Sequence, residues 1–161
     1  MMGSLATTDL SDDHGDKVHY CTPVFRDFGG RLAFHGPVTT LKTFEDNTKV
    51  RTAVEEPGES RVLVVDGGGS LNCALFGGNL AALAAQNGWS GVVINGCVRD
   101  CDELKVAAVG IKALAPHPRK SNKSDAGEHD IPVTFAGVTF TPGDWLYADA
   151  DGIIVAAQEL A

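Results

Sequence analysis

The chain is 161 residues long, 43% hydrophobic and 21% charged, the size and composition of one globular domain and not of a disordered or low-complexity segment. Its 13 Lys and Arg stand against 21 Asp and Glu, a formal charge of −8, so the basic footprint that phosphate backbones require is absent and nucleic acid is not expected as a partner. No apolar run approaches the roughly 20 residues of a membrane-spanning helix, so no membrane is expected either.

Residues 1–17 are acidic and polar and carry no basic segment followed by an apolar run; they read as a flexible N-terminal segment without a structural role, leaving 18–161 as a single domain. The four cysteines, Cys21, Cys73, Cys97 and Cys101, then read as free thiols in a reducing compartment, the cytoplasm. A Val/Thr/Leu-rich strand is expected over 36–44, followed by a short helix capped by Asp46 with Val50 and Val54 on one face, ended at Pro57-Gly58. Residues 61–66, Arg-Val-Leu-Val-Val-Asp, have the pattern of a strand covered on both faces and lead directly into Gly67-Gly68-Gly69. After the apolar 71–76 and the Gly77-Gly78 break, Asn79 caps a helix that buries Leu80, Leu83 and Ala84 and closes at Asn87-Gly88. A second buried strand covers 91–95, and 100–109 is helix-like with Leu104, Ala107 and Ala108 inward. This strand–helix alternation is βαβ grammar. A strand at 111–115, a polar loop over 116–130 and short strands at 132–135, 145–148 and 153–156 complete an α/β domain with a β-rich C-terminal third.

Three segments could carry chemistry. Gly67-Gly68-Gly69 fits neither nucleotide fingerprint, because Asn72 stands where the third dinucleotide-binding glycine belongs and no P-loop lysine follows; a tight turn is the simpler reading. Gly77-Gly78 before a helix turns backbone N–H groups of Gly77, Gly78, Asn79 and Leu80 toward an anion such as the carboxylate of a 2-oxo acid, with a plain turn as the alternative. Arg99-Asp100-x-Asp102-Glu103, just past the second buried strand, lies where open α/β sheets bind ligands. It reads equally as a helix-capping cluster or as a divalent-cation site of hard oxygen ligands. The basic knot Arg119, Lys120 and Lys123 reads as a solvated loop, with contact to a neighbouring subunit or to a dicarboxylate substrate as alternatives.

The spacing from Gly78 through twenty residues to Arg99-Asp100, and two more to Glu103, resembles the signature of the class II pyruvate aldolases that cleave 4-hydroxy-4-methyl-2-oxoglutarate. Their family includes the regulator of ribonuclease E activity A. The resemblance extends through Thr22-Pro23, His117-Pro-Arg-Lys-Ser121, Pro132-Val-Thr-Phe-Ala-Gly137 and Tyr147-Ala-Asp-Ala-Asp-Gly-Ile153. It implies a swivelling β/β/α fold, a trimer with the site near a subunit boundary, and a general base that a neighbouring chain could supply. It also implies roles: backbone amides of Gly77, Gly78, Asn79 and Leu80 for the pyruvate moiety, Arg99 at the keto oxygen, Asp100 for Mg²⁺ or Mn²⁺, and Glu103 as an outer carboxylate, with Asp102 as the alternative for that role. Cleavage of 4-hydroxy-4-methyl-2-oxoglutarate or 4-carboxy-4-hydroxy-2-oxoadipate and decarboxylation of oxaloacetate would share a pyruvate enolate. The alternative the family offers is a non-catalytic regulator that binds a ribonuclease E-type protein; members of that kind tend to lack a carboxylate at the position of Asp100, which this sequence keeps.

Overall fold

A run as apolar as residues 62–66 needs cover on both faces, and the structure, a computed structural model that describes residues 3–161, supplies it: all five residues are buried. In chain order the elements are α1 (Thr7–His14), β1 (Val18–Tyr20), β2 (Arg26–Asp27), β3 (Phe34–Lys42), α2 (Thr48–Glu55), β4 (Val62–Asp66), β5 (Ala74–Phe76) and α3 (Gly78–Gln86). They continue with β6 (Gly91–Val98), α4 (Cys101–Val106), β7 (Gly110–Pro116), β8 (Glu128–His129), β9 (Val133–Phe135), β10 (Val138–Phe140), β11 (Trp145–Asp149) and β12 (Gly152–Ala156). One sheet runs β1-β12-β11-β3-β4-β6-β7-β2, with β5 beside β6 and β8 beside β3, while β9 and β10 form a separate hairpin. β3, β4, β6 and β7 are parallel; β11, β12 and β1 continue the sheet antiparallel. Nine-residue β3 makes the join, pairing residues 34–37 with β11 and residues 38–42 with β4. The result is the mixed α/β single domain that the sequence pattern implies.

The two faces of the parallel strands are covered differently. Val50 and Val54 of α2, Leu80, Ala81 and Ala84 of α3 and Leu104 of α4 pack on one face with Leu63, Val65 and Ile94. On the other face Val62, Val64 and Val93 meet Phe34 and the buried positions of the β9–β10 hairpin. Gly91 and Gly110 lie side by side on β6 and β7, and the slot they leave holds the Phe34 ring. The glycine turn after β4 is a tight turn, with Gly68 and Gly69 at φ of 68° and 73° and the Gly68 N–H donating to Asp66 Oδ1 at 2.9 Å.

Several elements differ from expectation. The N-terminal segment is not without a structural role: α1 buries Thr7 and Leu10, and Leu10 packs with Val18, Tyr147 and Ile154. Met1 and Met2 lie outside the described residues. The reason is a partner 142 residues away, Asp149, whose carboxylate accepts the Thr7 N–H at 2.8 Å and the Thr7 hydroxyl at 2.7 Å. The 100–109 helix stops at Val106, with Ala107 extended, and 36–44 is shifted to Phe34–Lys42. Strands β1, β2, β8 and β10 have two or three residues each, too short for a periodic signal. Asn47, not Asp46, precedes α2 as its cap residue, while the Asp46 carboxylate accepts the Thr48 N–H at 3.0 Å from one position further back. Among the described residues no helix is long and apolar enough to cross a membrane.

Asp149 also gives a pH signature. Burial pushes its carboxyl up, but hydrogen bonds from Thr7 and Asp151 and the nearby Lys112 cation outweigh that and hold it below the usual value. A carboxyl depressed in the folded state contributes stability above its unfolded pKa of about 4 and loses it as pH falls through the folded value. Protection of the α1 amides, their exchange rate relative to the unprotected rate at the same pH, is therefore expected to fall below about pH 4, ahead of protection in β4 and β6. Asp149→Asn should remove that pH dependence.

Candidate active site

β6 delivers the site. It leaves the sheet at Val98, and the Arg99 N–H donates to the Phe76 carbonyl at 2.9 Å, so the Arg99-Asp100 corner is laced to the end of β5 just before the Gly77-Gly78 turn. Asp100 is left-handed, at φ 62° and ψ 48°, a conformation that Asp tolerates better than most residues but at a cost of order 1 kcal/mol. That turn points its carboxylate away from its own helix: no side-chain cap closes α4. Asp100 Oδ2 instead accepts the Gly78 N–H at 2.9 Å and caps α3, twenty-two residues earlier in the chain.

The two glycines are needed for space. A Cβ on Gly77 would lie 2.7 Å from Asp100 Oδ2 and 3.2 Å from Arg99 Cγ, and one on Gly78 would lie 1.7 Å from Glu103 Oε2. Gly77→Ala is therefore expected to push the Asp100 carboxylate aside, to lower turnover about tenfold or more and, because that carboxylate also holds the Gly78 N–H, to lower stability by about 1 kcal/mol. Steady-state kinetics beside a thermal melt checks it.

Gly77, Asn79, Leu80, Arg99 and Asp100 line one cleft of ≈ 220 Å³, at the carboxyl end of the parallel strands. Gly78 and Glu103 do not line it: Gly78 is buried, and the Glu103 carboxylate packs against its Cα. Two expectations are corrected. Asn79 is not the cap of α3; Gly77 is, and Asn79 lies inside the helix with its side chain exposed, because Asp100 serves as the acceptor from outside. The four amides are not all open, since that of Gly78 is taken by Asp100; those of Asn79 and Leu80, in the first turn, keep no intrahelical acceptor.

Most of the remaining lining carries no sequence signal. Asn47, Thr48 and Arg51 enter from the start of α2, and Lys120, Ser121 and Lys123 from the loop after β7. Of these, sequence signals only Lys120 and Lys123, as part of a basic knot for which contact with a dicarboxylate substrate is one of the alternatives. Arg119 is not in the lining; its neighbours are Glu45 and Cys73. Burial pushes the Cys73 and Cys97 thiols up and Cys21 up to about 12, so these three stay protonated at neutral pH.

As a cation site, the arrangement offers one exposed carboxylate, Asp100, with Oδ1 unpartnered, and no group of three or more His, Cys, Asp or Glu among the described residues. Such a donor set fits a hard cation that keeps most of its waters, as Mg²⁺ does, and not a fully caged ion.

Fold and cleft together define the class: a mixed α/β domain with a cleft at the ends of its parallel strands, lined by a helix start and by Arg99 and Asp100. The chain belongs to the RraA-like family (Aldolase/RraA), whose model matches residues 7–155. It is 62% identical over 157 residues, 98% of each chain, to a protein of Alkalilimnicola ehrlichii named "Putative 4-hydroxy-4-methyl-2-oxoglutarate aldolase". The structure of the RNA-processing inhibitor RraA from Thermus thermophilis is similar at a TM-score of 0.93 and 47% identity, covering 100% of this chain and 96% of that one. So is that of S-adenosylmethionine: 2-dimethylmenaquinone methyltransferase from Geobacillus kaustophilus, at a TM-score of 0.92 and 44% identity over 96% of each chain.

Proposed function

We propose that this chain is a divalent-metal-dependent lyase that cleaves 4-hydroxy-4-methyl-2-oxoglutarate, and 4-carboxy-4-hydroxy-2-oxoadipate, to release pyruvate, with decarboxylation of oxaloacetate as a side activity. The observation that carries this reading is the meeting of Arg99, Asp100 and the open amides of Asn79 and Leu80 on one cleft. The amides receive the carboxylate of the 2-oxo acid. Asp100 would hold Mg²⁺ or Mn²⁺, which when bound supplies Lewis-acid polarisation of the keto group. Arg99, a permanently charged fork, faces the keto oxygen.

As the 4-hydroxyl proton leaves to a base, the C3–C4 bond breaks; its electron pair passes to C3 and onto the C2 oxygen as an enolate. Arg99 stabilises that oxygen, the kind of contribution that is usually the largest in such reactions. Protonation at C3 gives pyruvate, and the C4 fragment leaves as the carbonyl product. Loss of CO₂ from oxaloacetate leaves the same enolate. Glu103 acts through Gly78, fixing the turn against which Asp100 is held. We assign the base to a neighbouring subunit of a trimer, whose existence light scattering would test.

The experiment is pyruvate release from 4-hydroxy-4-methyl-2-oxoglutarate and from oxaloacetate with Mg²⁺, stopped by EDTA and restored by excess Mg²⁺ or Mn²⁺. No turnover above the metal-only background overturns this reading. The second reading would then stand, a regulator that binds a ribonuclease E-type protein, favoured by the likeness to the Thermus inhibitor.

A further inference from the structure

We infer that His117 is a positioning residue for the Arg99 guanidinium: its ring nitrogen fixes the peptide plane whose carbonyl meets the fork, so that the cation is aimed at the oxygen that becomes the enolate without being neutralised. The inference deepens the lyase reading and rests on it for the role of Arg99.

Arg99 is half-buried at the corner after β6, and two contacts hold its near end. Its backbone N–H donates to the Phe76 carbonyl at 2.9 Å, and its stem lies against Gly77, where an added Cβ would be 3.2 Å from Cγ and 3.6 Å from Nε. Neither contact fixes the guanidinium at the far end of so long a side chain. Among the described residues no carboxylate lies within salt-bridge distance of it. The acceptor it meets is the Pro118 carbonyl, 3.4 Å from Nη1. That distance is long for a hydrogen bond, so the contact orients the fork only if the carbonyl is itself held in one direction.

His117 sets that direction. The Pro118 carbonyl and the Arg119 N–H belong to one planar peptide unit and point to opposite sides of it. The Arg119 N–H donates to His117 Nδ1 at 3.1 Å, and holding the N–H on the ring turns the carbonyl the other way, toward Arg99. A backbone N–H can only donate, so Nδ1 is the unprotonated nitrogen of the ring and the proton stands on Nε2. Between the two partners lies Pro118, whose own ring fixes its φ. The turn is tied down at both ends. The His117 N–H donates to the carbonyl of Val98, the residue before Arg99, at 2.8 Å, and the Ala74 N–H, on the strand leading to Gly77, donates to the Arg119 carbonyl at 2.8 Å. A neutral carbonyl orients a cation and leaves its charge for the developing oxyanion, whereas a carboxylate in the same place would offset it.

Two variants separate the acceptor from the ring. His117→Phe keeps the ring and loses the acceptor; His117→Asn places Oδ1 where Nδ1 stood and accepts the N–H two residues on, as asparagine does in turns. With 4-hydroxy-4-methyl-2-oxoglutarate and Mg²⁺, kcat of His117→Phe should fall about tenfold with KM little changed, because the fork acts on charge that forms in the transition state. His117→Asn should restore kcat. A second readout needs no turnover: in calorimetry with Mg²⁺, oxalate, a planar dianion shaped like the pyruvate enolate, should bind the native protein and His117→Asn alike and His117→Phe about tenfold more weakly. Native kcat and oxalate affinity in His117→Phe, or equal losses in the Phe and Asn variants, overturn the positioning role while leaving the lyase intact. Absence of turnover by the native protein with the oxalate order retained overturns the lyase and leaves His117 as the residue that aims Arg99.

Discussion

Asp100→Asn is expected to lower metal-dependent pyruvate release by about 10²-fold or more, with the thermal midpoint preserved. Asn has the same shape, tolerates the left-handed backbone at this position, and its side-chain oxygen can still accept the Gly78 N–H that Asp100 Oδ2 holds at 2.9 Å. The cap of α3 and the corner laced by Arg99 to Phe76 therefore survive, and only the negative charge is lost. Asp100→Ala removes charge and cap together, so it should match the activity loss and add a fall in stability of about 1 kcal/mol. Kinetics across a Mg²⁺ titration and a melt for each variant separate the two effects. Retention by Asp100→Asn of more than a tenth of native turnover would remove Asp100 from the role of cation ligand.

The largest effect on folding is expected far from the cleft, at Gly110→Ala. The Phe34 ring is 5% exposed, and a Cβ on Gly110 would lie 2.0 Å from one of its carbons, while one on the adjacent Gly91 would lie 2.2 Å from another. The ring cannot step back, because Val62, Val64 and Val93 share its cluster and residues 34–37 of β3 are held in register against β11. Overpacking of this kind costs about 1–3 kcal/mol. For a chain of this size the melting midpoint should drop by roughly 3–10 °C. Gly110→Ala combined with Phe34→Leu should lose less than the sum of the single changes, since the smaller side chain vacates the contested space. Strict additivity would mean the ring and the glycine are not in conflict.

The sequence by itself determined the parallel centre. Strands as apolar as Val62–Asp66 and Gly91–Val98 have few ways to avoid water other than lying inside a covered sheet, and a glycine pair before a helix leaves amides open at its start. Arg99 and Asp100 were readable because a charged pair at the end of such a strand falls where these sheets bind ligands. Tertiary structure alone decided what those residues touch. It turned the Asp100 carboxylate from its own helix to the Gly78 amide, made Gly77 and Gly78 matter for clearance, moved Glu103 behind the turn, and started α3 at Gly78 with Asn79 inside it. It also brought together residues distant in the chain: Thr7 and Asp149 in a hydrogen bond, and Arg51 and Lys120 in the lining of one cleft. The physical reason is common to all of these. Periodicity and propensity report which face of an element is apolar, whereas a hydrogen bond or a clearance of an ångström depends on two segments distant in sequence being brought together by the sheet that the apolar faces build.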